Sequence, residues 1–267
     1  MIKRICFIAL ILCWGLTASA QVKVRGKVSN SYGQGIEYVS IRVDSLYAVS
    51  DAEGNFELEV PKGHTDQMVV HHISYRTKQI PFESYKTGQL DIQLEEDVYE
   101  LSDVVISNKK LKEKAVSHKG MKMPGDVSFR NTKYATHDLG PIIKNKRDYL
   151  IKSFNFRVEE CTYTRCVLRI IVYEVKGKEF SPVQHKPIYL NFSDKQQFTE
   201  QTVDVQEEII LKKGHTYYIG VAVVDSNGKG IINFPAYLRS GYIRNLNTKK
   251  IKKLPATLGI SMKGLRW

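Results

Sequence analysis

Beyond its first twenty residues this chain carries only two cysteines, Cys161 and Cys166, and one tryptophan, Trp267. So few thiols exclude a disulfide-stapled scaffold and a four-cysteine zinc site. No apolar run after residue 20 approaches the roughly 20 residues that a membrane helix needs. No acidic residue follows Asp225. Catalytic signatures are missing as well. None of His64, His71, His72, His118, His137, His185 and His215 begins a His-x-x-Glu or His-Glu-x-x-His pattern. There is no Gly-x-Ser-x-Gly elbow and no phosphate-binding glycine loop. His71 and His72 are neighbours in a predicted strand, so they face opposite sides and cannot grip one metal ion together. Asp51, Glu53 and Asn55 imitate the first half of a calcium loop. Its twelfth position is Lys62, where a bidentate carboxylate is required, which excludes an EF-hand. These absences predict a protein that is not an enzyme, with no catalytic, cofactor-binding or metal-binding residues.

What is present begins with an export signal. Lys3 and Arg4 form a basic start, Ile5 to Leu16 an apolar run, and Ala18-Ser19-Ala20 a small-residue cleavage site. The expectation is a signal peptide over 1–20 that leaves Gln21 first, placing the protein in the periplasm or at the outer membrane or cell surface. A retained anchor is one alternative. A lipoprotein modified at Cys13 is another, although Leu12 stands where a small residue is usual before such a cysteine and the cysteine sits very early.

The mature chain reads as strands. Phe56, Leu58 and Val60 alternate with Asn55, Glu57 and Glu59, the period-two pattern of a half-buried strand, and Pro61 ends it. The alternation recurs at Val22-Val24-Gly26, Val39-Ile41-Val43 and Leu90-Ile92-Leu94. Ser50 to Phe56 is a tight turn: Asp51 can accept backbone N–H bonds from residues just ahead, and Gly54 supplies a positive φ.

Six segments in order, Val24–Val28, Ile36–Ile41, Asp51–Phe56, Ile73-Ser74-Tyr75, Leu90–Leu94 and Leu101–Ile106, resemble the carboxypeptidase-regulatory-like domain. The resemblance covers roughly residues 22–107 and implies a small transthyretin-like, Ig-like β-sandwich that binds or scaffolds. Ser74 departs from the family, which commonly has glycine there, and a slightly different strand edge is expected. In cell envelopes of the Bacteroidetes type such a module often precedes TonB-dependent outer-membrane receptors. Leu101–Ile106 resembles the link to their plug domain.

Residues 108–125 are lysine-rich with turn residues at their end and read as a basic linker. Strand signals resume at Asp126: Tyr149–Val158 with one irregularity near Ser153, Arg165–Val175, Ile188–Leu190, Gln201–Val205, Ile209–Leu211 and Thr216–Val224. Asp225–Gly230 reads as a hairpin loop with Ile231–Leu238 as the return strand. Many short strands predict a second antiparallel β-sandwich over 126–245, most simply a jelly roll, then a basic tail over 246–267. The fold class expected is therefore all-β. The segments Asn155–Val158, Leu168–Val175, Val203–Val205 and Tyr217–Val221 resemble sandwich regions that follow regulatory-like domains in exported Bacteroidetes proteins. That likeness implies architecture alone. Cys161 and Cys166 can clip the base of a hairpin in an oxidising compartment, worth about 2 kcal/mol for so small a loop. A zinc site would need a second ligand pair, which is missing.

Charge is divided between the two parts. The chain is +12 in all. Residues 21–107 hold eight Lys/Arg against fourteen Asp/Glu, net −6, and residues 108–267 are net +16. Lys249, Lys250, Lys252 and Lys253 cluster near the end as candidate contacts to an anionic partner. The partners this predicts are an envelope protein, an anionic lipid or a polysaccharide, with peripheral membrane contact and no nucleic acid. A solvated lysine-rich surface is the bland alternative, and attraction between the acidic and basic parts is another. Two further roles fit the same sequence. One is a glycan-binding protein using tyrosines such as Tyr217, Tyr218, Tyr237 and Tyr242. The other is an accessory subunit of a TonB-dependent transport system. Leu265-Arg266-Trp267 resembles the end of an outer-membrane barrel, but the strands available are too few for one.

Overall fold

The structure is a computed structural model that describes residues 21–97, 111–117, 120–133, 135–194, 197–246 and 248–267. The predicted leader over 1–20, His118 and the Leu101–Ile106 segment lie outside these residues. The regular structure of the described chain is nearly all strand, and the chain divides into two compact units. Unit 1 comprises residues up to Val70 with Lys78–Gln93, and unit 2 comprises His71–Thr77 with Leu94–Trp267.

Unit 1 draws on strands β1 (Gln21–Ser29), β2 (Ser40–Val43), β3 (Leu46–Val49), β4 (Asn55–Pro61), β5 (Met68–His72), β6 (Tyr75–Ile80), a single helical turn α1 (Phe82–Tyr85) and β7 (Ile92–Gln93). They form a three-stranded sheet ordered β4-β1-β7 and a four-stranded sheet ordered β3-β2-β5-β6. β1 runs antiparallel to β4, from Gln21 opposite Pro61 to Lys27 opposite Asn55, and parallel to β7. Alternation does what period two requires. Phe56, Leu58 and Val60 are buried while Asn55, Glu57 and Glu59 stay exposed. They meet Val24, Val28, Ile41, Val43, Met68, Val70, Tyr85 and Ile92 in the core of this unit.

The Ser50–Phe56 turn is built by one carboxylate and one glycine. Asp51 Oδ1 accepts from the backbone N–H of Glu53 (3.0 Å) and Asn55 (2.7 Å), and Oδ2 from Asn55 Nδ2 (3.1 Å). Gly54 lies at φ +87°, and a Cβ there would fall 2.4 Å from Val28 O. The turn is thus pressed against β1, and only a residue without a side chain fits.

Unit 2 is a larger antiparallel sandwich. Its strands are β8 (Lys112–Ser117), β9 (Met121–Arg130), β10 (His137–Gly140), β11 (Ile142–Lys144), β12 (Tyr149–Val158), β13 (Glu160–Cys161), β14 (Cys166–Lys176), β15 (Glu179–Pro182), β16 (Ile188–Phe192), β17 (Thr199–Leu211), β18 (Thr216–Ser226), β19 (Ile231–Leu238), β20 (Gly241–Asn245), β21 (Ile251–Leu254), β22 (Thr257–Leu258) and β23 (Ile260–Arg266). One layer is an eight-stranded sheet with the path β15-β14-β18-β10-β20-β21, to which β11 and β16 add. The other consists of two four-stranded sheets, β17-β12-β23-β8 and β13-β19-β22 with β9 beside β19. The main core fills the space between the layers. Leu168, Ile170, Val172, Ile219 and Val221 come from the first; Ile151, Phe154, Phe156, Ile260, Met262, Ile232 and Phe234 come from the second.

The irregularity near Ser153 is a β-bulge. Ile151 faces Gly264 of β23 and Ser153 faces Lys263, so β12 carries one extra residue, Lys152. The bulge switches which residues point inward: Tyr149 and Ile151 before it, Phe154, Phe156 and Val158 after it.

Four sequence expectations change here. Residues 108–125 are not a bare linker, since β8 and the first half of β9 lie there. Residues 246–267 are not a tail, since β21, β22 and β23 lie there and β23 is an interior strand of its sheet. Lysine-rich strands hide from hydropathy because backbone bonds, not side chains, hold an edge. Asp225–Gly230 is not a hairpin loop either: β18 and β19 pair with different partners, so this turn carries the chain from one layer to the other. Finally, residues 71–77 group with unit 2, where Ile73 packs with Ile171, Tyr173 and Tyr218. Within that unit Ser74 occupies a two-residue turn and its hydroxyl donates to His185 O.

Gly54→Ala is expected to destabilise unit 1 by about 2 kcal/mol or more, because the new methyl group meets backbone in a left-handed conformation. Urea unfolding of the full chain checks this, and an unchanged first transition would contradict it.

Candidate functional site

The eight-stranded sheet has two buried faces of different chemistry. One contributes to the main core. The other carries Ile171, Tyr173 and Tyr218, with Phe180 and Tyr242 packed against them. On this second face, within the described residues of unit 2, lies an ion pair. Asp138 and Arg244 are direct partners across β10 and β20 and only 2% and 7% exposed. Arg244 Nε lies 3.2 Å from both carboxylate oxygens, and Nη2 also donates to Oδ2. Tyr218 Oη donates to Asp138 Oδ1 at 2.9 Å. The guanidinium sits 4.0 Å from the Tyr173 ring centroid and 4.9 Å from that of Phe180. Burial first, and the Asp138 carboxylate next, hold the Tyr218 phenol well above its ordinary range. Gly220 makes room for this pair, since a Cβ there would come 2.9 Å from Asp138 Oδ2. Such a pair is costly to break, about 3–5 kcal/mol when one partner is removed. Fully paired and packed, it reads as a structural tie. Sequence reasoning did not find it, because its partners lie 106 residues apart.

The tyrosines singled out in sequence go inward. Tyr217 is 2% exposed and Tyr218 fully buried, on opposite faces of β18, so neither forms an exposed platform. Tyr237 and Tyr242 are half-buried.

The cysteines are not bridged. Cys161 and Cys166 are both free and buried in the main core. They sit on strands of different sheets: β13 pairs with β19, and β14 with β16 and β18. The segment between them turns around the buried Tyr163 and does not form a hairpin base. Burial pushes both thiols above their ordinary pKa.

Of the two adjacent histidines, His71 is exposed and His72 buried. His72 Nδ1 accepts from Ser74 N (3.2 Å), which places the neutral ring's proton on Nε2. Burial, then the charges of Arg169 and His71, push its pKa down to about 3. Among the described residues no group of three or more His, Cys, Asp or Glu is placed to hold a metal ion.

The predicted lysines are exposed, but on a strand. Lys252 and Lys253 belong to β21, the edge of the eight-stranded sheet, and Lys249 and Lys250 to the turn before it. Lysines on an edge also block pairing with another chain. A second basic group was not foreseen. Lys114, Lys152 and Lys263 line a hollow of about 450 Å³ with Glu113, Ala115, Gly264 and Leu265. It forms where Ala115 and Gly264 leave the sheet thinly covered, and the β12 bulge leaves Lys152 exposed at its rim. Tyr149 Oη, donating to Lys114 O at 2.6 Å, pins edge strand β8 in place. In sequence these three lysines lie far from one another, and only pairing of β8, β12 and β23 collects them.

Two measurements test the buried groups. His72 is neutral when folded and takes a proton near pH 6.5 when unfolded. Its contribution is therefore present above pH 6.5 and lost as pH falls toward 3, at up to about 1.4 kcal/mol per pH unit. Unfolding free energies from pH 8 to 4 should show that loss, and His72→Gln should flatten it. For the thiols, alkylation without reductant should modify Cys161 and Cys166 only after denaturation. Peptide mass spectrometry reads the result, and peptides that stay unalkylated until reduced would indicate a bridge.

Comparison with known proteins adds one family. No curated protein matches the chain. Among solved structures, one of the infectious bursal disease virus Gx strain aligns with 92% of this chain at 8% identity and a TM-score of 0.25; the chain spans 63% of that viral chain. A structure titled for the promiscuous specificity of carbohydrate-binding modules from the β-sandwich superfamily aligns with 75% of this chain and 84% of its own, at 9% identity and a TM-score of 0.20. Similarity that low carries no argument. Residues 24–106, the span of the six motifs in order, match the family model of the CarboxypepD_reg-like domain, a regulatory, non-catalytic β-sandwich.

Proposed function

We propose that this protein is a non-enzymatic binding module exported to a bacterial cell envelope, in which the basic second unit engages an anionic partner. The leader-like sequence over 1–20 supports export, and the family match supports a non-catalytic role for the first unit. The observation that carries the reading is the hollow lined by Lys114, Lys152 and Lys263, set in a region of net +16. Three ammonium groups against a single Glu113 favour phosphate or carboxylate groups. The edge lysines of β21 extend the same preference. An anionic lipid surface, an acidic polysaccharide and an acidic envelope protein, including a subunit of a TonB-dependent system, all present such groups.

Near an anionic surface each lysine is worth about 1 kcal/mol, so three together correspond to on the order of 100-fold in affinity. Sedimentation of the full chain with phosphatidylglycerol vesicles and retention on an acidic polysaccharide matrix measure this. The triple variant Lys114→Gln, Lys152→Gln, Lys263→Gln should lose about that factor at low salt on whichever probe binds. Neutral phosphatidylcholine vesicles should bind neither form. No affinity for either anionic probe, or binding unchanged in the triple variant, would overturn the reading.

A further inference from the structure

Unit 2 holds a second hollow that shares no residue with the first. Its volume is about 460 Å³, within the range of small-molecule sites. One wall is an arch in β9. Asp126 faces Pro235 and Lys122 faces Tyr237, so Met123, Pro124 and Gly125 together oppose the single residue Ala236. The other wall is Gln197 and Phe198, and Glu159, Glu160 and Asn233 complete the lining.

Two features of this hollow are out of keeping with a surface that serves only stability. Phe198 is 65% exposed, whereas Phe129, Phe154, Phe156, Phe192 and Phe234 of the same unit are buried. It lies at φ +51°, a left-handed conformation that is strained for a bulky residue, and its N–H donates to Glu159 O at 3.1 Å. The second feature is Asn233, 9% exposed. Its Nδ2 donates to Glu160 Oε2 at 2.9 Å, and because a carboxylate can only accept, the amide cannot be turned the other way. Its Oδ1 is thereby left buried without a partner. An acceptor in that state is destabilising until a donor reaches it.

We propose that this hollow binds a neutral saccharide. A sugar ring lays its C–H face on the Phe198 ring, and its hydroxyls donate to Asn233 and Glu160 and accept from Lys122 Nζ. The chemistry selects this class over its rivals. Asp126 and Glu160 repel an anion. An ammonium group would satisfy Asn233 but meets Lys122, which Glu159 holds beside the hollow at 2.9 Å. A hydroxyl is both donor and acceptor and suits the mixture. Asn233 Oδ1 is itself buried, so a hydroxyl reaches it only with a small opening of the lining.

A printed array of neutral and acidic oligosaccharides, probed with the full chain, tests the proposal, with a tetralysine peptide as the cationic control. At least one neutral glycan should bind. Phe198→Ala should weaken it tenfold or more, Phe198→Trp should keep it, and Asn233→Ala should weaken it without altering the far-ultraviolet circular dichroism. The triple lysine-to-glutamine variant should bind the same glycan unchanged, which separates this site from the anion hollow. No neutral glycan bound, binding indifferent to Phe198→Ala, or binding of tetralysine alone would each overturn it.

Discussion

The extra residue that β12 carries against β23 governs how unit 2 packs. A strand of period two buries one set of alternate residues, yet β12 has apolar side chains at odd positions in its first half and at even positions in its second. Without the bulge at Lys152–Ser153 one of these halves would face water. With it, Tyr149 and Ile151 join Phe154, Phe156 and Val158 in a single core. Phe156 then reaches Phe234 (centroids 6.0 Å apart) and Phe192 (6.4 Å), linking β12 to β19 and to β16 in the facing layer. The same irregularity leaves Lys152 exposed beside Lys263, so closing the core and assembling the basic hollow are one event.

Polar groups inside unit 2 mostly follow the rule that burial demands a partner, the exceptions among the described residues being Asn155 Oδ1, Arg157 Nε and Asn233 Oδ1. Asp138 and Arg244 satisfy each other, and the aromatic rings of Tyr173 and Phe180 cover the guanidinium. Asn233 does not meet the rule, since one of its two polar atoms is unmatched. Together with the exposed Phe198 ring in the same hollow, that contrast sets the hollow apart from the Arg244 cluster. The Arg244 cluster looks the more catalytic of the two, yet every contact in it is already made. The hollow at Phe198 looks modest, yet it holds an unmet acceptor beside an exposed ring.

Of the first unit, β1, β2 and β4 and the turn before β4 were legible, while β3, β6 and α1 were not. Those three strands alternate, the turn depends on Asp51 and Gly54 within four residues, and the family match over 24–106 takes in most of this unit. In the second unit β12 and β19 were legible to the residue, because their apolar content exceeds what one face can account for. β8 and β21 were not: Lys112, Lys114, Lys252 and Lys253 resemble solvated chain, and these strands exist through backbone bonds to β23 and β20. The tyrosines misled because adjacent residues in a strand face apart, and here both faces of the sheet are covered. The one available signal for Phe198 was an aromatic in a polar stretch, Gln196-Gln197-Phe198-Thr199, which is weak alone.

What the amino-acid sequence determined by itself is whatever depends on neighbours: strand periodicity, the tight turn, the poverty of catalytic motifs and the division of charge between an acidic first part and a basic second. Tertiary structure decided the rest. It placed Cys161 and Cys166 on different sheets, sent the chain after Asp225 across the sandwich, and gathered Lys114, Lys152 and Lys263 into one hollow and Asn233 with Phe198 into another. The physical reason is that strand pairing joins residues through backbone hydrogen bonds that almost any side chain permits. Which distant strands meet is therefore settled by the packing of the whole core and not by the residues that end up side by side.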